Sequence, residues 1–395
     1  MNTMDTTYAT GTGAGPRAVE IADTGTDPGT DFQVPASGDA RMTWEYDLRD
    51  ERLMALYQRG KDRQWDAATR IPWELEVDRA NPLGQPEELI PIHGSRTWER
   101  FGHDRKFVAD LFLHTTAWQF SQFLHGEQGA LVCASRIVET VPDLESKFYA
   151  STQVVDEARH LEAYNRFVQE KLGLMYPINP ALRELLEQTL ADSRWDMPYL
   201  GMQVLIEGLA LAAFGLLRDA TAGGAAPLPH ALLAYVMQDE ARHVAFGRLA
   251  LRQLYAELSS AERKDRQEFV IEGSRLLFRR FRGDEMWQAL GLDHADCVTA
   301  IENSPSMKAF RSLLFSRVVP ALRDIGLWGE PVAAAYEKLG VIEYAKYDLD
   351  TLMARDEDMA QAAEREQREL TVRQAQVAET IAIGAAPDPG GADSS

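Results

Sequence analysis

The chain has 395 residues, of which 41 are lysine or arginine and 61 are aspartate or glutamate, so its formal net charge is −20. With 45% hydrophobic residues, it is long enough to bury one large core or two ordinary ones. Its acidic balance argues against a nucleic-acid-binding protein, because phosphate contacts need clustered lysine and arginine. Two cysteines, Cys133 and Cys297, form neither a disulfide scaffold nor a zinc finger, and they fit the reducing cytoplasm.

The two ends of the chain lack the pattern of a folded domain. Residues 1–40 contain six glycines and one basic residue, Arg17, with no basic segment leading into an apolar one. This composition predicts a disordered N-terminal tail and no secretory signal. Residues 346–395 predict a charged helical segment followed by a second disordered tail. The main domain is therefore expected at residues 41–345.

Apolar periodicity, interrupted by proline and glycine, predicts helices throughout this domain. We expect Pro198 and Pro320 to kink or split the helices that contain them. The sequence contains no run of alternating β-branched residues that is long enough to predict a sheet. The predicted fold class is therefore all-α. The predicted helices span about 51–65, 104–139, 143–172, 180–220, 229–257, 262–282, 284–291, 305–325 and 330–338.

The longest apolar stretch, residues 201–217, approaches the length of a membrane span. Gln203 and Glu207 lie in its first half, and a carboxylate is costly in lipid. The stretch therefore predicts a buried helix of a soluble protein that does not enter a membrane.

The pentapeptide DEARH occurs twice, 83 residues apart. Its first copy places Glu157 three residues before His160, and its second copy places Glu240 three residues before His243. Residues at i and i+3 lie on one face of a helix, so each carboxylate and imidazole could reach the same metal ion. The alternative is a solvated helix face of glutamate and arginine.

Two further glutamates favour the metal site. Glu127 lies 30 residues before Glu157, and Glu207 lies 33 residues before Glu240, each within an apolar helix. An unpaired charge there would cost several kcal/mol. Thirty residues allow an antiparallel partner helix, so each of these glutamates should face one of the DEARH motifs.

Together these residues form a six-ligand set on four helices, the arrangement of dimetal carboxylate bundles. Four glutamates balance the charge of two divalent ions, and hard oxygen donors with imidazole suit iron or manganese better than copper. Buried structural ion pairs are the alternative. The predicted ligands are Glu127, Glu157, His160, Glu207, Glu240 and His243.

These motifs resemble the ferritin-like diiron-carboxylate superfamily, on the branch with ribonucleotide reductase small subunits and bacterial multicomponent monooxygenase hydroxylases. The likeness includes residues 58–74, QRGKDRQWDAATRIPWE, and covers about residues 45–260. It implies a ferritin-like four-helix bundle with flanking helices, assembled as a homodimer. It also implies two iron ions, Fe/Fe in preference to Mn/Fe.

The resemblance also assigns roles to individual residues. Glu157 and Glu240 would bridge the two metals, and the other four ligands would each bind one. Asp156 and Asp239 match aspartates that hydrogen-bond a ligand histidine from the opposite helix.

Three further residues carry open alternatives. Arg159 and Arg242 would either neutralise the acidic layer or form ordinary surface ion pairs. Tyr164 resembles the position of a radical tyrosine, but a core tyrosine is the alternative that the aromatic content of such bundles favours.

Three positions depart from known branches of the superfamily. Reductase small subunits usually have aspartate where this chain has Glu127, which weakens a radical-generating role. Multicomponent hydroxylases usually carry threonine where Leu211 stands. Arylamine N-oxygenases have an additional histidine at the position of Val236, so a seventh ligand of that type is absent. The motifs therefore leave the branch open.

The function that the resemblance implies is a diiron monooxygenase that activates O2. It would hydroxylate or N-oxygenate a small organic substrate, lipophilic or aromatic, with electrons from a ferredoxin or a reductase. A ferroxidase or peroxide-handling protein is one alternative, but a storage bundle needs about half of this length or less. A radical-generating small subunit is another, and it would require a large partner and Tyr164 as its radical site.

Two other groups of side chains have a structural and a functional interpretation. The first group shares the Glu127 face of its helix and would form either bundle core or the wall of a substrate pocket: Phe120, Phe123, Leu131 and Ala134. The second is a basic cluster that would be either a solvated helix face or a docking patch for an acidic partner: Arg275, Arg279, Arg280 and Arg282.

Overall fold

The computed structural model describes residues 19–25, 32–35, 39–359, 361, 362, 365 and 369, and most of them are helical. The helices are α1 Glu51–Asp62, α2 Ala67–Arg70, α3 Arg96–Phe101, α4 Arg105–Thr140, α5 Leu144–Arg166, α6 Pro180–Ala191, α7 Asp196–Pro198, α8 Glu207–Ala220, α9 Pro227–Ala256, α10 Ser260–Arg280, α11 Asp284–Ala289, α12 His294–Asn303, α13 Pro305–Leu314, α14 Val318–Asp324, α15 Glu330–Lys338 and α16 349–359. Two π-helical segments, Phe167–Leu172 and Tyr199–Ile206, and three 3-10 turns, Glu87–Leu89, Ala222–Gly224 and Ile342–Lys346, connect them.

Two helical hairpins, α4 with α5 and α8 with α9, form a four-helix bundle. The connection from α4 to α5 is short because Asp143 caps α5, accepting a hydrogen bond from the Ser146 backbone N–H at 2.7 Å. Helix α9 has no side-chain cap and begins at Pro227, whose fixed φ suits a first helical position. Short connections make neighbouring helices antiparallel. The all-α, ferritin-like fold is therefore as predicted, and the remaining helices flank the bundle.

The predicted helix 180–220 is interrupted earlier than expected. It ends at Ala191, where Asp192 turns extended (φ −72°, ψ 132°) and accepts hydrogen bonds from the Arg194 backbone and guanidinium at 2.9 Å. The helix resumes at Asp196, so Pro198 lies in a first turn, where its missing N–H costs nothing. The expectation that Pro198 itself breaks the helix was wrong.

A second proline behaves in the same way. The predicted helix 305–325 divides into α13 and α14 at residues 315–317, and Pro320 is the third residue of α14. Helix α12 was not predicted, although Asp293 caps it by accepting from the Asp296 N–H at 3.1 Å. Ten residues between two turns give too few apolar positions for a clear helical period.

The segment Tyr199–Ile206 is π-helical and leads directly into α8. Helix α9 approaches it closely at Gly247, where an added Cβ would lie 2.5 Å from the Cβ of Gln203. Because Gly247 has no side chain, α9 packs directly against the π-helical segment at Gln203. This contact sets where the first residue of α8, Glu207, enters the bundle.

One helical stretch, Asp196–Ala220, is long and apolar enough to cross a membrane. In its most apolar window, 78% of the residues are buried inside the protein. It is therefore mostly a core helix of the bundle, as the sequence predicted from Gln203 and Glu207.

The described parts of the two ends contact the domain. Glu20–Ile21 forms a two-residue strand, β1, parallel to β2 at Leu174–Met175, which differs from the disorder expected for those residues. Near the other end, Asp356 of α16 is buried and binds Arg317 at 2.5 and 2.6 Å. Most other residues of the two predicted tails lie outside the described residues, so the domain boundaries at 40 and 345 stay a prediction.

Candidate dinuclear metal centre

The six predicted ligands come from four helices and meet at the centre of the bundle. Each is at most 6% exposed. Their donor atoms fall into two groups within 4.8 Å, and Glu157 belongs to both. The first group is Glu127, Glu157, His160 and Glu240, and the second is Glu157, Glu207 and His243.

His160 lies at the centre of the first group. Its Nδ1 atom is 3.3 Å from Glu127 Oε2, 3.4 Å from Glu157 Oε2 and 3.3 Å from Glu240 Oε1. Three carboxylate oxygens therefore converge on one imidazole nitrogen, with room for a cation between them.

His243 has the corresponding place in the second group. Its Nδ1 atom is 3.1 Å from Glu157 Oε1 and 3.7 Å from Glu240 Oε2. Glu157 and Glu240 thus each present one oxygen to each histidine, as carboxylates that would bridge two metal ions must. The Gln153 amide donates to Glu157 Oε1 and Glu207 Oε1, at 2.9 Å in both cases.

Burial dominates the electrostatics of the cluster. Desolvation raises the pKa of Glu127 and of Glu207 well above the usual range. Burial also opposes ionisation of Glu157, but the two histidines outweigh it and lower the pKa of that carboxyl. Four carboxylates this close are costly to hold together unless protons or cations neutralise them.

Several donor atoms of the cluster are buried without a hydrogen-bond partner in the described part of the chain. Buried polar atoms are normally paired, and bound cations would satisfy these atoms. Carboxylate oxygens with imidazole nitrogen suit two divalent iron or manganese ions, and the residues present therefore fit a dinuclear site. The unpaired atoms are Glu157 Oε2, Glu207 Oε2, Glu240 Oε2 and His243 Nδ1.

The structure places each motif aspartate against the histidine of the other motif. His160 Nε2 is 3.0 Å from Asp239 Oδ2, and His243 Nε2 is 3.3 Å from Asp156 Oδ2. A hydrogen bond at Nε2 leaves Nδ1 free to bind a metal and fixes the orientation of the ring.

The two motif arginines lie beneath these aspartates, and neither is a surface residue. Arg159 is 7% exposed and donates to both Asp156 and Asp239, the second at 2.8 Å. Arg242 is 4% exposed and donates to Asp239. Their positive charge offsets the negative charge of the aspartates.

Three residues of the site were not singled out from the sequence. Trp65 donates to Asp239 Oδ2 at 2.8 Å, and Gln64 donates to Asp156 Oδ1 at 2.9 Å. Both belong to residues 58–74, where the resemblance was noted without assigning contacts. The third is Gln153, which lies four residues before Glu157 and hence on the same helix face.

Tyr164 is fully buried among Phe120, Phe123 and Phe214, with ring centroids 5.8–6.1 Å apart. Burial raises the pKa of its hydroxyl well above the usual value. Among the described residues, that hydroxyl has no hydrogen-bond partner. The contacts are those of a core aromatic residue.

A cavity of about 290 Å³ lies between α4, α8 and the helices after α10. Its walls are mostly apolar, and they include Phe123, one helical turn before Glu127, together with Leu209 and Ala213 of α8. Of the residues proposed as pocket wall, Phe123 lines this cavity and Phe120 packs in the aromatic core.

One buried cation, Arg280, lines the same cavity. It is 7% exposed, and burial lowers its pKa to about 10. In the described part of the chain, no carboxylate lies within 4 Å of its guanidinium and Nε has no hydrogen-bond partner. Glu285 offsets its charge only from a distance.

The predicted basic cluster around Arg280 is not a single patch. Arg275 pairs with Glu272 at 3.3 Å, and Arg279 pairs with Glu184 at 2.7 Å. Arg282 also has acidic neighbours, so the exposed members are largely neutralised.

A comparison with protein-family models identifies the branch. The family described as p-aminobenzoate N-oxygenase AurF matches residues 47–326, which is more than half of the chain. The chain belongs to the AurF family. Membership and the buried cluster together confirm the predicted diiron oxygenase with a dinuclear metal site. Val236, at the position where arylamine N-oxygenases carry an additional histidine, is buried in this AurF-family chain.

Among solved structures, the chain is similar to variants of an R2-like ligand-binding oxidase with a reconstituted Mn/Fe cofactor. A valine-to-leucine mutant reconstituted aerobically has 15% identity and a TM-score of 0.44, covering 71% of this chain and 95% of that one. A tyrosine-to-phenylalanine mutant reconstituted anaerobically has 17% identity and a TM-score of 0.42, with the same coverage. Among curated proteins, none matches the chain.

Proposed function

We propose that the six-residue cluster binds two iron ions and oxidises a small aromatic substrate held in the adjacent cavity. The observation that carries this proposal is the convergence of carboxylate and imidazole donors, several of them unpaired and one of them, Glu127, one helical turn after the cavity residue Phe123. When bound, two iron ions would activate O2 and supply the oxidising power. The proposed ligands are Glu127, Glu157, His160, Glu207, Glu240 and His243.

The cavity supports a substrate that is aromatic and carries an anionic group. Its volume of about 290 Å³ and apolar walls suit a single substituted ring. Arg280 would pair with the anionic group, because a buried guanidinium without a carboxylate partner is costly. The family is named for p-aminobenzoate, which has an aromatic ring, an amine and a carboxylate.

We therefore propose N-oxygenation of an anionic arylamine. The reaction consumes one O2, two electrons and two protons, and converts R–NH2 to R–NHOH and one water. Arg280 would hold the anionic end, so that the amine points towards Phe123 and the cluster. Phe123 and Leu209 would exclude water from the path between the cavity and the carboxylates.

The proposed reaction also needs an electron donor from outside the chain. The two electrons require an external donor, which we propose to be a ferredoxin or a reductase in the cytoplasm. A homodimer is the assembly that the superfamily resemblance supports. Iron storage would have no use for a buried arginine in an apolar cavity, and a radical role would require a partner for the Tyr164 hydroxyl.

The test uses iron-loaded protein, a chemical reductant and oxygen-18 gas, with p-aminobenzoate and the neutral analogue p-toluidine as substrates. We expect one labelled oxygen in the product and a kcat/KM at least about 30-fold higher for the anion, since a desolvated ion pair contributes several kcal/mol. Arg280→Met should bring the two kcat/KM values together. No labelled product from either amine, or an unchanged preference in the variant, would contradict the proposal.

A further inference from the structure

A second groove, of about 540 Å³, lies between α1, α9 and α16. Between its charged residues it has an apolar floor that includes Leu56, Ala245 and Met353. Six arginine side chains line this groove, which is unusual in a chain of net charge −20. We call it the arginine groove, after Arg52, Arg59, Arg63, Arg242, Arg248 and Arg252.

Some of these arginines are neutralised by nearby carboxylates. Arg248 binds Asp324 at 2.9 Å and Asp350 at 2.5 Å, and Arg63 lies 3.2 Å from Glu357. The two acidic residues that line the groove, Asp350 and Glu357, are therefore both paired with these arginines.

The other exposed arginines of the groove are not neutralised in this way. Arg52 and Arg59 of α1 have no ion pair within 4 Å among the residues that the structure describes. Arg252 of α9 has only Asp324, at 3.7 Å. Arg52 and Arg252 are exposed, and Arg59 is partly exposed. The rim of the groove therefore keeps a positive charge that faces solvent.

The floor of the groove connects to the metal centre. Arg242, which is 4% exposed, lines the groove and donates a hydrogen bond to Asp239. Asp239 in turn lies 3.0 Å from His160 Nε2. Two hydrogen bonds thus link the groove to a proposed metal ligand, on a face of the bundle formed by α1 and α9. The substrate cavity is lined by other helices, α4 and α8 among them.

We propose that the arginine groove is the docking surface for an acidic electron-donor protein. The inference rests on the proposed function, because only a redox enzyme needs such a donor. Unpaired cations around an apolar floor complement an acidic protein surface with an apolar centre, and they would steer its approach. In each turnover the groove would receive two one-electron donors in succession, and their two electrons would restore the ferrous state of the two irons that the six ligands would hold.

The test follows electron transfer without O2 or substrate. The oxidised, iron-loaded full chain is mixed under nitrogen with a reduced plant-type [2Fe–2S] ferredoxin, an acidic one-electron donor, and ferredoxin oxidation is followed by absorbance. We expect the double charge reversal Arg52→Glu and Arg59→Glu to lower the second-order rate constant at least about 10-fold. It should also flatten the fall of that rate constant with added salt.

The matched control is Arg275→Glu with Arg279→Glu, two exposed arginines of α10 outside the groove and the cavity. Its rate constant should stay within about twofold of wild type, since its charges do not lie in the encounter path. Reduction by the methyl viologen radical, a small cation, should occur in every variant and shows that the iron site is intact.

The outcomes separate the two proposals. If viologen reduces the protein but ferredoxin does not, or the groove reversal reacts like wild type, or the control slows equally, the arginine groove is not the docking surface. If viologen reduces no iron, the proposed function itself has failed.

Discussion

The two halves of the metal centre start from the same pentapeptide but are held differently. In the first half, Glu127 lies in an uninterrupted helix, and its carboxylate is 3.3 Å from His160. In the second half, Glu207 follows a π-helical segment and accepts from Gln153 at 2.9 Å. A repeated motif therefore fixes which residues meet, while the neighbouring helices decide how each half is oriented.

The outer contacts differ as well. Asp239, behind His160, is bound by Trp65, Arg159 and Arg242. Asp156, behind His243, is bound by Gln64 and Arg159, and its contact to the histidine is longer, at 3.3 Å. We expect the first half to be the more rigid one and the two metals to be inequivalent.

The largest effect is expected from Glu157→Ala, because Glu157 is shared by both groups of donors. Iron bound to the purified protein should fall from about two ions per chain to almost none, as measured by elemental analysis. The metal-free variant should melt lower than the metal-free wild type, because the two histidines that lower the pKa of Glu157 lose their carboxylate partner. A variant that still binds two ions would show that Glu157 does not bridge them.

Next come the two single-sided variants, Glu127→Ala and Glu207→Ala. Each should lose one metal, leaving about one ion per chain, and the ion that is left should differ between them. Mössbauer spectra of the iron-57 forms would show this as two different quadrupole doublets. Identical spectra would mean that the halves are equivalent.

The aspartates test the difference in the outer contacts. Asp239→Asn should weaken iron binding up to about 100-fold and Asp156→Asn about 10-fold, the range typical of residues that orient ligand histidines. Competition titrations with a chelator give both affinities. Equal losses, or a larger loss in Asp156→Asn, would overturn the order of rigidity.

The smallest effect is expected from Gln153→Leu, which removes the donor to Glu207. Gln153 also donates to Glu157 Oε1, the oxygen on the His243 side, so we expect a loss of less than about 10-fold that is confined to the second metal. Gln169→Leu is the matched control, because Gln169 is an exposed glutamine at the end of the same helical stretch. A change in the first metal, or an equal change in the control, would argue against a local role.

The sequence predicted the ligand set because the chemistry is local. Glu157 with His160 and Glu240 with His243 are fixed by helical spacing alone, and apolar neighbours revealed Glu127 and Glu207. The hairpin lengths then required the four helices to meet. Fold class and the composition of the cluster could therefore be predicted before any coordinates.

What the sequence did not reveal depends on contacts between distant segments. Pro198 suggested a break that actually occurs at Asp192, where a side chain ends the helix. Trp65 and Gln64 reach the site only because α1 packs across α5 and α9. The sequence placed Arg280 in a basic cluster with three other arginines. In the structure Arg280 is buried in the cavity, because the flanking helices cover it.

The most direct test of the dinuclear centre is a Mössbauer spectrum of the full chain loaded anaerobically with iron-57. We expect about two ferrous ions per chain, which should give two doublets of equal area. Both doublets should be absent from the spectrum of Glu157→Ala. Iron below one ion per chain, or uptake that is unchanged in this variant, would contradict a centre built from the two DEARH motifs.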